Sequence, residues 1–429
     1  MLSVDPVALA ARQLRRDREQ TKLLPGLFEH KADRMRASPL AFLRGTAPLF
    51  YELLAAHPEL GSGPPGAGWI TGDLHLENFG AYRPGSLVDE VPAGRAAVTN
   101  TTRKASKTKP TKNAKRSKKA RGIDHVTFNL NDFDDAFVGP WRIDVLRLIV
   151  SLLLGSRELG VRGARSVDLC ESLLASYVAH TSRPSKPPPL PRPVAALIDI
   201  VKTRTRLQLL EARTRVVKHQ RQFVRGERYR EVEAKLRVDA EGAFADYVAR
   251  LEKSEPRIDA AHYDVLDIAY RIAGTGSLGG LRVGVLVRGK GGPDGAWIFD
   301  MKEQGVPSGA LLVGKPDMKP AKRVITAMRA CLEHPPRMLG TTKLRGRSMF
   351  VRRLAPQEDK LDLAHIDDVD LEPLAAYLGA LTGDAHRRGA TRPAKKPWKA
   401  SECDALLERA IAVAGVYEAA YLAYFKHSR

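Results

Sequence analysis

Two acidic motifs near the front of the chain restrict what it can become: Gly72-Asp73-Leu74-His75-Leu76-Glu77-Asn78 and Asn131-Asp132-Phe133-Asp134-Asp135. In the first, a carboxylate precedes an amide by five residues. The second follows a short apolar run, Val126 to Leu130, and offers another carboxylate at its end. Phosphoryl transfer to a hydroxyl asks little else of side chains: an acid to orient the hydroxyl, and an Asn and an Asp to hold Mg²⁺ on the phosphates. Kinase-like enzymes supply them in this order. Here, however, almost nothing precedes the motifs that could serve as a nucleotide-binding lobe.

The rest of the chain has to supply that lobe. Gly274-Thr275-Gly276-Ser277-Leu278-Gly279 is followed by a β-branched run, Leu281 to Val287, not by a helical pattern. A strand-loop-strand hairpin covering phosphates fits this context better than a dinucleotide fold, where the loop leads into a helix. A glycine-rich turn with no ligand is the alternative. Lys302 ends the next apolar strand, Trp297 to Met301, where a kinase-like fold carries its phosphate-binding lysine.

Periodicity predicts helices over 7–58, 141–154, 166–180, 194–255, 321–333, 370–388 and 402–426, and strands over 69–70, 265–273, 281–287, 297–301 and 349–354. Six prolines in the twelve residues Ser182 to Pro193 predict a stiff linker. The expected organisation is α+β with two lobes. A helical lobe spans 1–181, a helical segment 194–255, a sheet-bearing nucleotide lobe 256–356, and helices of 357–429 pack back on the first lobe.

The net charge of +21 is concentrated: eleven Lys or Arg and no acid lie between Arg95 and Arg121. That segment lacks apolar periodicity, so 95–122 reads as a disordered basic insertion. It is either a solvated insertion or an electrostatic tether to nucleic acid or another polyanion. Three widely spaced cysteines (Cys170, Cys331, Cys403) imply neither disulfides nor a zinc site, and no apolar run is long enough for a membrane span. A reducing cytoplasm is the expected setting. His75, His125, His180, His219 and His386 show no metal-ligand spacing. Asp134 and Asp135 are expected to hydrogen-bond a loop end, with a second metal as the alternative. Arg44 either reaches an anionic substrate or caps its helix.

Several stretches resemble the bacterial family called domain of unknown function 2252. They are Arg34 to Gly45, Gly72 to Gly80, Phe128 to Asp135, Gly139 to Asp144, Gly274 to Gly279, Met301 to Glu303 and Ala385 to Gly389. The two acidic motifs are also similar to those of aminoglycoside phosphotransferases and related small-molecule kinases. That resemblance implies Asp73 as the catalytic carboxylate and Asn78 and Asp132 as Mg²⁺ ligands. Gly274, Gly276, Ser277, Gly279 and Lys302 would bind ATP. His75 matches a histidine following the catalytic acid, and Asp144 an acid that braces the catalytic loop. Thr71 departs from the histidine often found two residues before that acid.

Helix 370–388 resembles the helix that normally leads into the catalytic loop. The expectation is therefore a circularly permuted protein-kinase-like fold, transferring phosphoryl or AMP from ATP to an unidentified hydroxyl. One departure opens another reading. The family pattern places an acid near Thr326, where this chain has none; Glu333, two helical turns on, is a possible substitute, while Glu303 adjoins the lysine but should point to the opposite strand face. A nucleotide-binding pseudokinase is the alternative, and a polyanion-binding protein acting through 95–121 is a third.

Overall fold

The computed structural model describes residues 4–84, 126–254 and 259–428. The basic segment 95–121 lies outside these residues, as does His125.

Asp5 starts the first helix: its carboxylate accepts the Val7 and Ala8 amides at 2.9 and 3.2 Å, and Pro6 occupies the first helical position. Helices α1 (Pro6–Gln20), α2 (Leu27–Arg36), α3 (Pro39–Gly45) and α4 (Ala47–Ala56) follow. Strand β1 (Ala67–Ile70) enters the first acidic motif and β2 (Phe79–Tyr82) leaves it; β3 (Thr127–Leu130) and β4 (Phe137–Pro140) flank the second. Then come α5 (Trp141–Glu158), α6 (Gly163–Ser182), α7 (Arg192–Lys202) and α8 (Arg206–Glu211). Helix α5 is buried on nearly every face, which explains why apolar residues lie on all its sides.

The expectation of helix throughout 194–255 is corrected here. Between α8 and α9 (Ala234–Ser254) the chain forms a hairpin, β5 (Thr214–Val217) and β6 (Gln220–Phe223), and a short strand β7 (Tyr229–Arg230). Lys218 and His219 take positive φ at the hairpin turn, a conformation that helix interiors exclude. Strands β8 (Val265–Arg271), β9 (Arg282–Val287) and β10 (Trp297–Glu303) come next, then α10 (Ala310–Val313) and α11 (Pro320–Cys331). The chain ends with β11 (Gly340–Leu344), β12 (Arg347–Arg353), β13 (Asp359–Lys360), α12 (Asp368–Arg388), β14 (Ala390–Arg392) and α13 (Ala400–His427).

The result is a mixed helix-and-sheet fold, α+β in class. A six-stranded antiparallel sheet runs β11-β12-β10-β9-β8-β7, with α9 packed on it. Two smaller sheets, β14-β1-β4 and β13-β2-β3, carry the acidic motifs against α5. The largest apolar core joins α1–α6, α11, α12 and α13; a second lies between α9 and the six-stranded sheet. The last two helices pack onto the first half of the chain, and β14 pairs antiparallel with β1. Among the described residues, no helix is long and apolar enough to cross a membrane.

Candidate functional site

Strand β1 delivers Thr71, Gly72 and Asp73 to the place where the two acidic loops meet. Gly72 has φ +78°, and a Cβ there would lie 2.1 Å from the carbonyl oxygen of Asp135, so the two acidic loops meet at a glycine. Asp144, in the first turn of α5, holds this loop. Its Oδ2 accepts the Thr71 amide at 2.7 Å and the Thr71 hydroxyl at 3.0 Å; its Oδ1 accepts the Gly72 amide at 2.9 Å. The bracing contact expected of Asp144 is present. Behind it, His386 of α12 places Nε2 3.4 Å from Asp144 Oδ2 and Nδ1 3.0 Å from the Tyr177 hydroxyl, with its ring stacked on Trp141. The Thr71 hydroxyl and the His386 ring together occupy the environment of this buried carboxylate.

Asp73 is partnered by Arg147, one turn past Asp144 on α5. The guanidinium Nε donates to Asp73 Oδ1 at 2.8 Å, and Nη2 lies 2.5 Å from the same oxygen. Arg147 is fully buried, donates to the Leu43 carbonyl at 2.8 Å and stacks 4.9 Å from the Phe50 ring centroid. Burial nevertheless pushes the Asp73 carboxyl up to about 7 against the pull of Arg147, and the charges of Asp135 and Asp132 push the same way. Sequence reasoning missed Arg147 as a partner. The available signal was a lone arginine interrupting the most apolar run of the chain.

Asn78 and Asp132 stand at the same end of the β2–β3 pair. Phe79 faces Leu130 across the ladder, and the Asn131 amide donates to the Asn78 carbonyl at 2.8 Å. The Asn78 side-chain oxygen accepts the His75 amide at 3.0 Å. Asp132 Oδ1 accepts the Asp134 amide at 3.1 Å, and Asp132 forms no ion pair among the described residues. Hard oxygens with spare lone pairs suit Mg²⁺, which takes one or two protein ligands and completes its shell with water and phosphate. Among the described residues no group of three or more His, Cys, Asp or Glu could hold a metal. Asn78 and Asp132 are the oxygen donors at this place that could hold a cation.

The large sheet meets these loops from its β10 strand. Lys302 of β10 forms an ion pair with Asp134 Oδ2, and Gln304 donates to Oδ1 at 2.8 Å. Burial lowers the Lys302 pKa, partly opposed by the charges of Asp132 and Asp73. Asp135 accepts the Ser308 amide at 2.8 Å. Asp135 thus hydrogen-bonds a loop, one of the two readings of the sequence, whereas Asp134 pairs with a strand lysine. Buried Arg323 of α11 donates to the carbonyls of Asp134 and Ala136. Arg323 also escaped sequence reasoning.

Gly274 to Gly279 joins β8 to β9, so the loop is strand-loop-strand. Gly274 and Gly279 have φ of +84° and +99°. The loop rests on the N-terminal helices: Gln20 donates to the Gly276 carbonyl at 2.8 Å, Lys31 approaches it at 3.4 Å, and Arg34 donates to the Gly274 carbonyl. Lys31 is itself buried against Asp17 at 2.8 Å, which also accepts the Tyr424 hydroxyl at 3.0 Å.

No acid of α11 reaches Lys302. Thr326 turns its hydroxyl back to the Lys322 carbonyl, Glu333 pairs with Arg388 at 2.7 Å, and Glu303 accepts from Leu281 and Arg347 on the opposite strand face. The acid that does pair with Lys302 is Asp134, from the second acidic loop. Arg44 does not simply cap its helix: it forms an ion pair with Glu77.

The profile of a bacterial family described as an uncharacterized protein conserved in bacteria, DUF2252, matches residues 22–86 and 120–427. The chain belongs to DUF2252. The break at 87–119 covers most of the basic segment, so the DUF2252 match passes over it and resumes at residue 120, ahead of the second acidic motif. No curated protein and no solved structure matches this DUF2252 chain.

Proposed function

We propose that this site binds ATP with Mg²⁺ and transfers its terminal phosphoryl group, or AMP in a close variant, to a hydroxyl. The fold would be kinase-like and circularly permuted. One observation carries the reading: Lys302, from a strand following a glycine hairpin, closes on the acidic loop that holds Asp132, while Asp73 stands on the adjoining loop. Phosphoryl transfer needs positioning and charge more than covalent chemistry, and these groups supply both.

In this reading Asp73 orients the acceptor hydroxyl, and Arg147 and Asp144 hold it in place. Asn78 and Asp132 would ligate Mg²⁺, which neutralises charge on the phosphates when bound. Lys302 exchanges Asp134 for phosphate oxygens, and Gly274, Gly276, Ser277 and Gly279 cover them with backbone amides. The permutation draws support from the pairing of β14 with β1, because helix α12 thereby runs into the strand of the first acidic loop. A nucleotide-binding protein without turnover is a second reading, favoured by the lack of an α11 acid at Lys302.

ATP labelled at the γ- or the α-phosphate separates these readings. Transfer of the γ-label identifies a kinase and of the α-label an AMP transferase, each lost in Asp73→Asn by roughly 10²–10⁴-fold. Binding without transfer of either label would leave the non-catalytic reading.

A further inference from the structure

Arg44 touches both the first acidic loop and the glycine loop. It ends α3, its guanidinium pairs with Glu77 beside Asn78, and its carbonyl lies under the glycine loop, 3.3 Å from where a Gly276 Cβ would stand. Its Nε is enclosed without an acceptor, so the guanidinium lacks a full set of protein partners. Lys360 stands on the strand next to β2. Strand β13 pairs with β2 so that Lys360 faces Gly80, two residues past Asn78. Its ammonium interacts with the charges of Asp132 and Glu77 and is repelled by Arg44 and Arg352. Lys302 feels the same repulsion from Arg352 and Lys360. Arg44, Lys302 and Lys360, from three separate elements, thus face the two acidic loops, where an arriving polyanion would meet positive charge.

Resting on the ATP reading above, we propose that Arg44 and Lys360 form a second phosphate-binding pair, which holds the terminal phosphate of a nucleoside triphosphate. Lys302 serves the inner phosphates from the sheet side. The pair belongs to the reacting end, because the Glu77 partner of Arg44 lies on the same loop as Asp73. Glu77 occupies Arg44 in the absence of ligand and gives it up when the phosphate enters.

Calorimetric titration of the full chain with ATP or ADP, each with Mg²⁺, tests this without requiring turnover. In Lys360→Gln and Arg44→Gln, ATP affinity should fall about tenfold while ADP affinity changes little. Glu77→Gln should tighten ATP in preference to ADP. Lys360 lies at an exposed strand edge, so Lys360→Gln remains informative even if Arg44→Gln misfolds. Wild-type protein that binds ATP, with an ATP-to-ADP ratio unchanged in Lys360→Gln, overturns the pair alone. Wild-type protein that binds neither nucleotide overturns the ATP reading and the pair with it.

Discussion

Lys302 and Asp134, 168 positions apart, form the ion pair that joins the large sheet to the acidic loops. Gln304 lies two residues along the same strand face and takes the second oxygen of the same carboxylate at 2.8 Å, while Glu303 between them points away. The sheet is therefore held on Asp134 by two side chains, of which only the lysine is charged. Lys302→Met should reduce ATP affinity more than tenfold and cost only about 1–2 kcal/mol of stability, because Gln304 still satisfies one oxygen of a partly exposed acid. Titration with ATP and urea unfolding of the same variant check the two halves.

Asp144 is a stronger structural dependence. Asp144→Ala strips acceptors from the buried Thr71 and Gly72 amides together, and leaving each unsatisfied costs roughly 1–3 kcal/mol. A loss of about 3–5 kcal/mol in urea unfolding is expected. Asp144→Asn keeps one acceptor oxygen and should lose about half as much.

The titration of Asp73 sets a pH dependence of stability. In the unfolded chain this carboxyl ionises near 3.8, in the folded protein near 7, so between these values the folded state holds the extra proton. Its contribution to stability therefore falls as pH rises through that window and levels off above about 7. Asp73→Asn, which stays neutral, should gain stability relative to wild type between pH 5 and 8 in the absence of nucleotide. Thermal melts across that range decide it; a constant difference would show that burial does not raise this carboxyl.

Two glycines of the phosphate loop should differ sharply. Gly279 has φ +99°, and a Cβ there would lie 2.6 Å from the Gln20 carbonyl oxygen; Gly276 has no positive φ, and its nearest neighbour is 3.3 Å away. Gly279→Ala should cost about 2–3 kcal/mol, of which 1–2 is the left-handed backbone itself, and should speed hydrogen exchange across the loop. Gly276→Ala should cost about 1 kcal/mol or less. Chemical denaturation with exchange mass spectrometry measures both.

Local pattern explains what was legible beforehand. The β-branched run after Gly280 marked β9, the apolar run ending at Lys302 marked β10, and the long helical periods marked α5, α6, α12 and α13 within a few residues. Periodicity and turn chemistry act over neighbouring residues, so they appear in the sequence. The β5–β6 hairpin was hidden because charged residues dominate 194–255 and the short strands set no clear period. Strand β14 was hidden because three residues suffice when β1 is already there to pair with them.

By itself, the sequence determined the α+β class, the two acidic loops, the glycine hairpin and the strand-end position of Lys302. Tertiary structure alone decided the partners: Arg147 for Asp73 across 74 positions, Asp134 for Lys302 across 168, and His386 against Asp144 across 242. Burial removes these charges from water and forces each to find an opposite charge or a hydrogen bond nearby in space. Which residue answers depends on how the two halves of the chain pack, and no spacing along the chain records that.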